Sequence, residues 1–172
     1  PFMATLLSIS NHPPYVIPEW FHANSEEEEL QIVEYADDAL RIFFKQAAEQ
    51  PWYGNSVFVL LGDHGKLTGT PECEMPQCLN HIPLIIHAPG LAPEEIDSWC
   101  MQMDVQPTLL SLLGIRAEQE HFGQNILQKP RSMALYTADN MIGARSDGHL
   151  YIYEPGTGTE WFYKSAAANK VV

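Results

Sequence analysis

Basic residues are scarce in this sequence. Nine Lys and Arg face 22 Asp and Glu across 172 residues, a formal net charge of −13. That balance argues against nucleic acid, because a phosphate backbone demands a basic footprint. The acidity is compatible with cation binding, although an acidic surface more often serves solubility. No apolar run reaches the ~18 residues that a membrane span needs. The opening Pro1-Phe2-Met3-Ala4-Thr5 lacks the basic n-region of a signal peptide, and there is no initiator Met. The chain therefore reads as a piece of something longer, and a missing signal or anchor says little about the parent. Cysteine is limited to Cys73, Cys78 and Cys100. Cys73 and Cys78 are close enough in sequence for a small-loop disulfide, which geometry must decide. No Gly-x-Ser-x-Gly elbow, P-loop or nucleotide fingerprint is present, nor is an internal repeat.

What is present can fold. Hydrophobic residues make up 45% of the chain, enough for a core in one domain or a large part of one. "PFMATLLSIS" reads as a strand, and the proline-rich "NHPPYVIPEW" as a loop. Ser25 followed by Glu28 predicts a capping box, and Glu26 to Glu29 suit the positive end of a helix dipole. Apolar Leu30, Val33, Leu40, Phe43, Phe44 and Ala47 keep helical spacing up to a stop at Pro51. "VFVLL" and "IPLIIHAPG" are continuous apolar runs, expected as strands buried on both faces. "MDVQPTLLSLLGI" predicts a short buried helix, with Asp104 near its start, Pro107 in its first turn and Gly114 at its end. Beyond Met133, "MALYTA", "MIGARSDG" and "LYIYE" read as short strands, with Asp147-Gly148 as a hairpin turn and "GTGTEWFYKS" as a further turn and strand. The expected fold is α/β: a layered mixed sheet flanked by helices, with an antiparallel hairpin near the C-terminus.

The stretch that asks for chemistry is "VFVLLGDHG". Ligands of open α/β sheets bind beyond the carboxyl ends of strands, where Asp63 and His64 would stand. Gly62 and Gly65 give the backbone freedom to turn both side chains toward one ion. A carboxylate oxygen with an imidazole nitrogen suits Zn²⁺ or Mn²⁺. The plain alternative is a structural turn. His12 ends the first apparent strand and would either share that rim or cap a proline-rich turn. His81, just before "IPLIIH", would approach the site across the Lys66–Asn80 loop or bond only to backbone. His87 reads as structural. Cys73 and Cys78 with His81 and His87 are a further candidate, a zinc site in a small α/β module.

The order "SNHPPY", "YADDALRIFF", "VFVLLGDHG", "NHIPLIIHAPG", "MQMDVQPTLLSLLGI" and "FGQNIL" resembles the sulfatase-like part of the alkaline phosphatase superfamily. Its lipoteichoic acid synthase and phosphoglycerol transferase branch is the nearest in pattern. The likeness runs from Phe2 to Leu127 and weakens beyond. It implies that residues 1–172 are the C-terminal portion of a single alkaline-phosphatase-like catalytic domain. It also implies that Asp63 and His64 ligate a divalent metal, Mn²⁺ first and Zn²⁺, Ca²⁺ or Mg²⁺ as alternatives. His12 then contacts the phosphate of the substrate, with His81 as a second substrate contact. The nucleophile and a further acidic ligand are expected upstream of Pro1, since no cysteine here lies in a Cys-x-Pro-x-Arg context. The implied substrate is a phosphate ester of phosphoglycerol type or a sulfate ester, on a lipid or glycan. The implied parent is membrane-anchored with its catalytic domain outside the cytoplasm. A non-catalytic, sulfatase-like binding domain is the other reading.

Overall fold

The amphipathic stretch after residue 26 forms helix α1, Glu28–Ala47, with Glu28 and Glu29 in its first turn. The expected capping box does not form. Ser25 lies outside the helix and gives its hydroxyl to the Glu34 carboxylate, which also takes the Asn24 N–H at 2.7 Å and the Ser25 N–H at 3.0 Å. A charged acceptor nearly two turns into the helix outcompetes the backbone for these donors. Those bonds, the Ser25 hydroxyl first, hold the Glu34 carboxyl below its usual range.

The computed structural model describes residues 1–118, 120–166 and 170–171. They fall into two compact units: Pro1–Phe58 with His87–Leu91, and Val59–Ile86 with Ala92–Val172. In the first unit, rings gather around Phe58: Phe44 at 5.1 Å, Tyr53 at 5.5 Å and His87 at 5.9 Å. Ile32 and Ala47 are the buried apolar residues of α1, whereas Leu30, Val33, Leu40 and Phe43 are exposed. The expected first strand is absent. Residues 1–9 join neither sheet, and Met3, Leu6 and Leu7 are 92%, 86% and 81% exposed. Apolar β-compatible sequence becomes a strand only beside a neighbour that takes its backbone hydrogen bonds, and none of the described strands is one.

Strands β1, Phe58–Leu61, and β2, Leu84–His87, pair with each other. Val59, Leu61 and Ile85 are exposed, so neither strand has the two covered faces that its apolar run predicts. A strand has two covered faces only where other elements pack on both sides of its sheet. Helix α2, Val105–Leu112, follows a 3-10 turn over Gln102–Asp104 and ends at Gly114, whose φ of +68° suits a helix C-terminus. Pro107 and Thr108 of α2 are buried, as expected, but Leu112 and Leu113 are not.

The C-terminal strands as far as residue 166 form as read, and a short one over Lys170–Val171 adds to them. Strands β3 (Met133–Ala138), β4 (Met141–Ser146), β5 (His149–Glu154), β6 (Thr159–Ala166) and β7 (Lys170–Val171) make an antiparallel sheet in chain order. Asp147-Gly148 is the two-residue turn between β4 and β5, with Gly148 at φ +81°. Asp139-Asn140 makes an equivalent turn between β3 and β4, with both residues at positive φ. Leu150 and Ile152 of β5 pack with Met75 as the core of the second unit.

Two features hold the second unit in register. The Asp104 carboxylate is 1% exposed and accepts Arg131 at 2.5 and 2.6 Å, plus the N–H groups of Met101 and Gln124, both at 2.8 Å. Burial pushes this carboxyl up, but the Arg131 guanidinium and the two backbone donors outweigh it, so it lies below its ordinary value. The second feature is a close approach: the Gly65 N–H donates to Leu79 O at 2.8 Å, and a Cβ on Gly65 would lie 1.9 Å from the Cys78 carbonyl oxygen.

Asp104→Asn should destabilise the chain by about 3 kcal/mol at neutral pH, because Arg131 loses its charged partner. The native carboxyl titrates below its unfolded value of about 3.9, so its contribution is complete above that pH and is lost as the pH falls through the folded value. The gap between wild type and Asp104→Asn in urea midpoint should therefore close as the pH drops below about 4. Gly65→Ala should cost about 2 kcal/mol in the same assay through the backbone clash. Gly54→Ala should cost little, since a Cβ there meets nothing within 4 Å.

Candidate functional site

Asp63 and His64 follow β1 after Gly62, and both are open to solvent, 74% and 70% exposed. Three main-chain or side-chain ties shape the turn that carries them. The Gly62 N–H donates to Pro83 O at 3.3 Å, and the Gly65 N–H donates to Leu79 O. The side-chain amide of Gln102 donates to Asp63 O at 2.9 Å and Gly62 O at 3.3 Å. Within the turn, the His64 N–H donates to Asp63 Oδ1 at 2.9 Å.

The imidazole of His64 has a defined tautomer. Its Nδ1 lies 2.8 Å from Gly65 O. A carbonyl can only accept, so Nδ1 carries the proton and Nε2 of the neutral ring presents a lone pair. That is the arrangement metal-ligating histidines use: one ring N–H on a backbone carbonyl, the other nitrogen free for the ion. Nε2 stands 3.8 Å from Asp63 Oδ2. Two donors bound to one cation at about 2.1 Å can be up to ~4.2 Å apart. This pair therefore fits as two ligands of one divalent metal, with the remaining positions open to other groups.

The other expected residues are placed as follows. His12 lies in the first unit, exposed, in a turn closed by its own N–H on Ile9 O at 3.2 Å. Its Nδ1 is 2.8 Å from Pro13 O, so Nε2 is the nitrogen left for a ligand. His81 is exposed at the end of the 3-10 turn Gln77–Leu79, its N–H donating to Gln77 O at 2.9 Å. Among the described residues no three His, Cys, Asp or Glu side chains gather as a metal cluster. The zinc site of Cys73, Cys78, His81 and His87 is thus not formed. His87 is structural, 3.1 Å from the Tyr53 hydroxyl and packed on Phe44. Cys73, Cys78 and Cys100 are all free thiols, so no small-loop disulfide forms. Burial pushes the Cys73 and Cys100 thiols up, away from the thiolate a nucleophile needs.

Sequence reading missed the frame behind the turn. Gln102 lies inside the "MQMDVQPTLLSLLGI" stretch but drew no role there, Arg131 lies outside every stretch singled out, and only Asp104 stood out, as a helix start. A second network was equally hidden. Gln77 accepts Arg145 at 2.7 Å and the Tyr136 hydroxyl at 2.9 Å, while its N–H reaches Glu72 at 2.8 Å. It ties the segment that backs Gly65 to β3 and β4.

Known proteins bear on the same residues. The sequence pattern of the sulfatase family matches residues 1–115. Lipoteichoic acid synthase-like YvgJ of Bacillus subtilis is 31% identical over 159 residues, 77% of this chain and 25% of its own. Lipoteichoic acid synthase 1 of the same organism is 28% identical over 92% of this chain and 28% of its own. The chain thus spans about a quarter of the length of these relatives. A crystal structure of an alkaline phosphatase superfamily protein from Vibrio parahaemolyticus superposes with a TM-score of 0.83 at 26% identity, over 96% of this chain and 42% of that one. The chain belongs to the sulfatase family and has the fold of the alkaline phosphatase superfamily.

Proposed function

We propose that this chain is the C-terminal portion of one sulfatase-like catalytic domain, in a metal-dependent hydrolase or transferase acting on phosphoglycerol-type phosphate esters or on sulfate esters. The observation that carries the reading is the contact of His64 Nδ1 with Gly65 O, which leaves Nε2 to face an exposed Asp63 carboxylate 3.8 Å away. Asp63 and His64 hold the metal, Mn²⁺ being the first choice. The metal, when bound, lowers the pKa of a hydroxyl nucleophile and offsets charge on the reacting centre. His12, its Nδ1 held by Pro13 O, donates from Nε2 to a non-bridging oxygen when protonated. His81 is the second substrate contact. The nucleophile comes from outside these residues, in keeping with the raised thiols of Cys73 and Cys100.

The surface of the first unit supports a larger domain. Met3, Leu6, Leu7 and the α1 residues Leu30, Val33 and Leu40 are all exposed, apolar surface that further parts of a larger domain would cover. No helix among the described residues is long and apolar enough to cross a membrane. Anchoring and an extracytoplasmic location are proposed for the parent only on the likeness to lipoteichoic acid synthases.

The test is Asp63→Asn in the full-length parent, assayed on aryl phosphodiester and aryl sulfate. Turnover should fall about 1,000-fold or more with the melting temperature unchanged. Retained turnover would contradict the metal assignment. A wild-type parent that binds Mn²⁺ but turns over neither ester would favour the binding-domain reading.

A further inference from the structure

We propose that Gln102 is a positioning residue for the Asp63–His64 pair, clamping the main chain that carries both groups. The inference rests on the metal reading of those two residues. Consecutive carbonyls of an extended strand point to opposite sides. One amide nitrogen can reach both only where the strand has ended and the chain has turned. The Gln102 amide lies 2.9 Å from Asp63 O and 3.3 Å from Gly62 O, so it bonds across the bend that swings Asp63 and His64 off the strand. The acceptors are carbonyls, which fixes the nitrogen end of the amide toward them.

The clamp has a firm base. Gln102 opens the 3-10 turn Gln102–Asp104, and Asp104, two residues on, is the buried carboxylate bonded to Arg131, Met101 and Gln124. The same turn leads into α2. Gln102 itself is exposed, so its side chain contributes little to the core. Its amide bonds are spent on the turn. Groups that hold the main chain around a ligand set act on affinity more than on folding.

The test uses this chain carrying Gln102→Met, similar in length but with no N–H to donate. Amide hydrogen exchange at His64 and Gly65 reports on the turn. Mn²⁺ alone, titrated while the paramagnetic broadening of the His64 ring signals is followed, reports on the ligand pair. The expected result is an unchanged melting temperature, faster exchange at those two amides, and a Mn²⁺ half-saturation point raised roughly tenfold. Gln102→Lys, which keeps a donor, should slow the exchange again. Unchanged exchange and half-saturation would overturn the proposal, as would a general loss of protection with a lowered melting temperature, the mark of a purely structural role. If Mn²⁺ broadens nothing at Asp63 and His64 in the wild type, the metal reading fails, and exchange at His64 and Gly65 alone decides whether Gln102 holds the turn.

Discussion

The carboxylate of Asp104 accepts both arms of the Arg131 guanidinium and two backbone N–H groups. It is the contact on which the order of the second unit depends. A buried charge with all its acceptor sites used is tolerated where a bare one would neutralise or unfold its surroundings. Arg131 reaches further, donating to Phe122 O at 2.7 Å, and Thr108 of α2 takes the Ile126 N–H at 3.3 Å. The segment after α2 is thereby stitched onto the helix, and Trp99 meets Arg131 in a short antiparallel bridge. The start of α2, the chain after it and the approach to β3 all converge on one side chain.

From this frame the site is reached through short links. Gln102 ties the frame to the end of β1, and Gln77, held by Arg145 and Tyr136, ties the antiparallel sheet to the segment behind Gly65. The turn needs such support because it has no core of its own. The Asp63 and His64 side chains are mostly exposed, and exposure is what the proposed cation and charged ester would require for entry. Rigidity must therefore come from bonds to the main chain.

Much of this was legible in the sequence. Helical spacing gave α1, start and stop residues gave α2, continuous apolar runs gave β1 and β2, and short strand-like stretches with turn residues gave β3 to β6. The motif order pointed to the family, and Asp63 with His64 stood out because an acid and an imidazole closed an apolar strand. What was hidden depended on distance along the chain. Arg131 lies 27 residues from Asp104, and Arg145 lies 68 from Gln77, separations at which periodicity carries no signal. The capping box at Ser25 failed because Glu34, nine residues on, is a stronger acceptor than the local pattern could reveal. Residues 1–9 read as a strand because composition records β propensity but not whether a neighbour is there to pair.

The central claim is that Asp63 and His64 are two ligands of one divalent metal. Crystals of the protein soaked in Mn²⁺ and measured at the manganese absorption edge test it directly. The account predicts an anomalous peak about 2.1–2.3 Å from both an Asp63 carboxylate oxygen and His64 Nε2, with His64 Nδ1 still on Gly65 O. A peak that touches only one of the two residues, or none at this turn at saturating Mn²⁺, would contradict it.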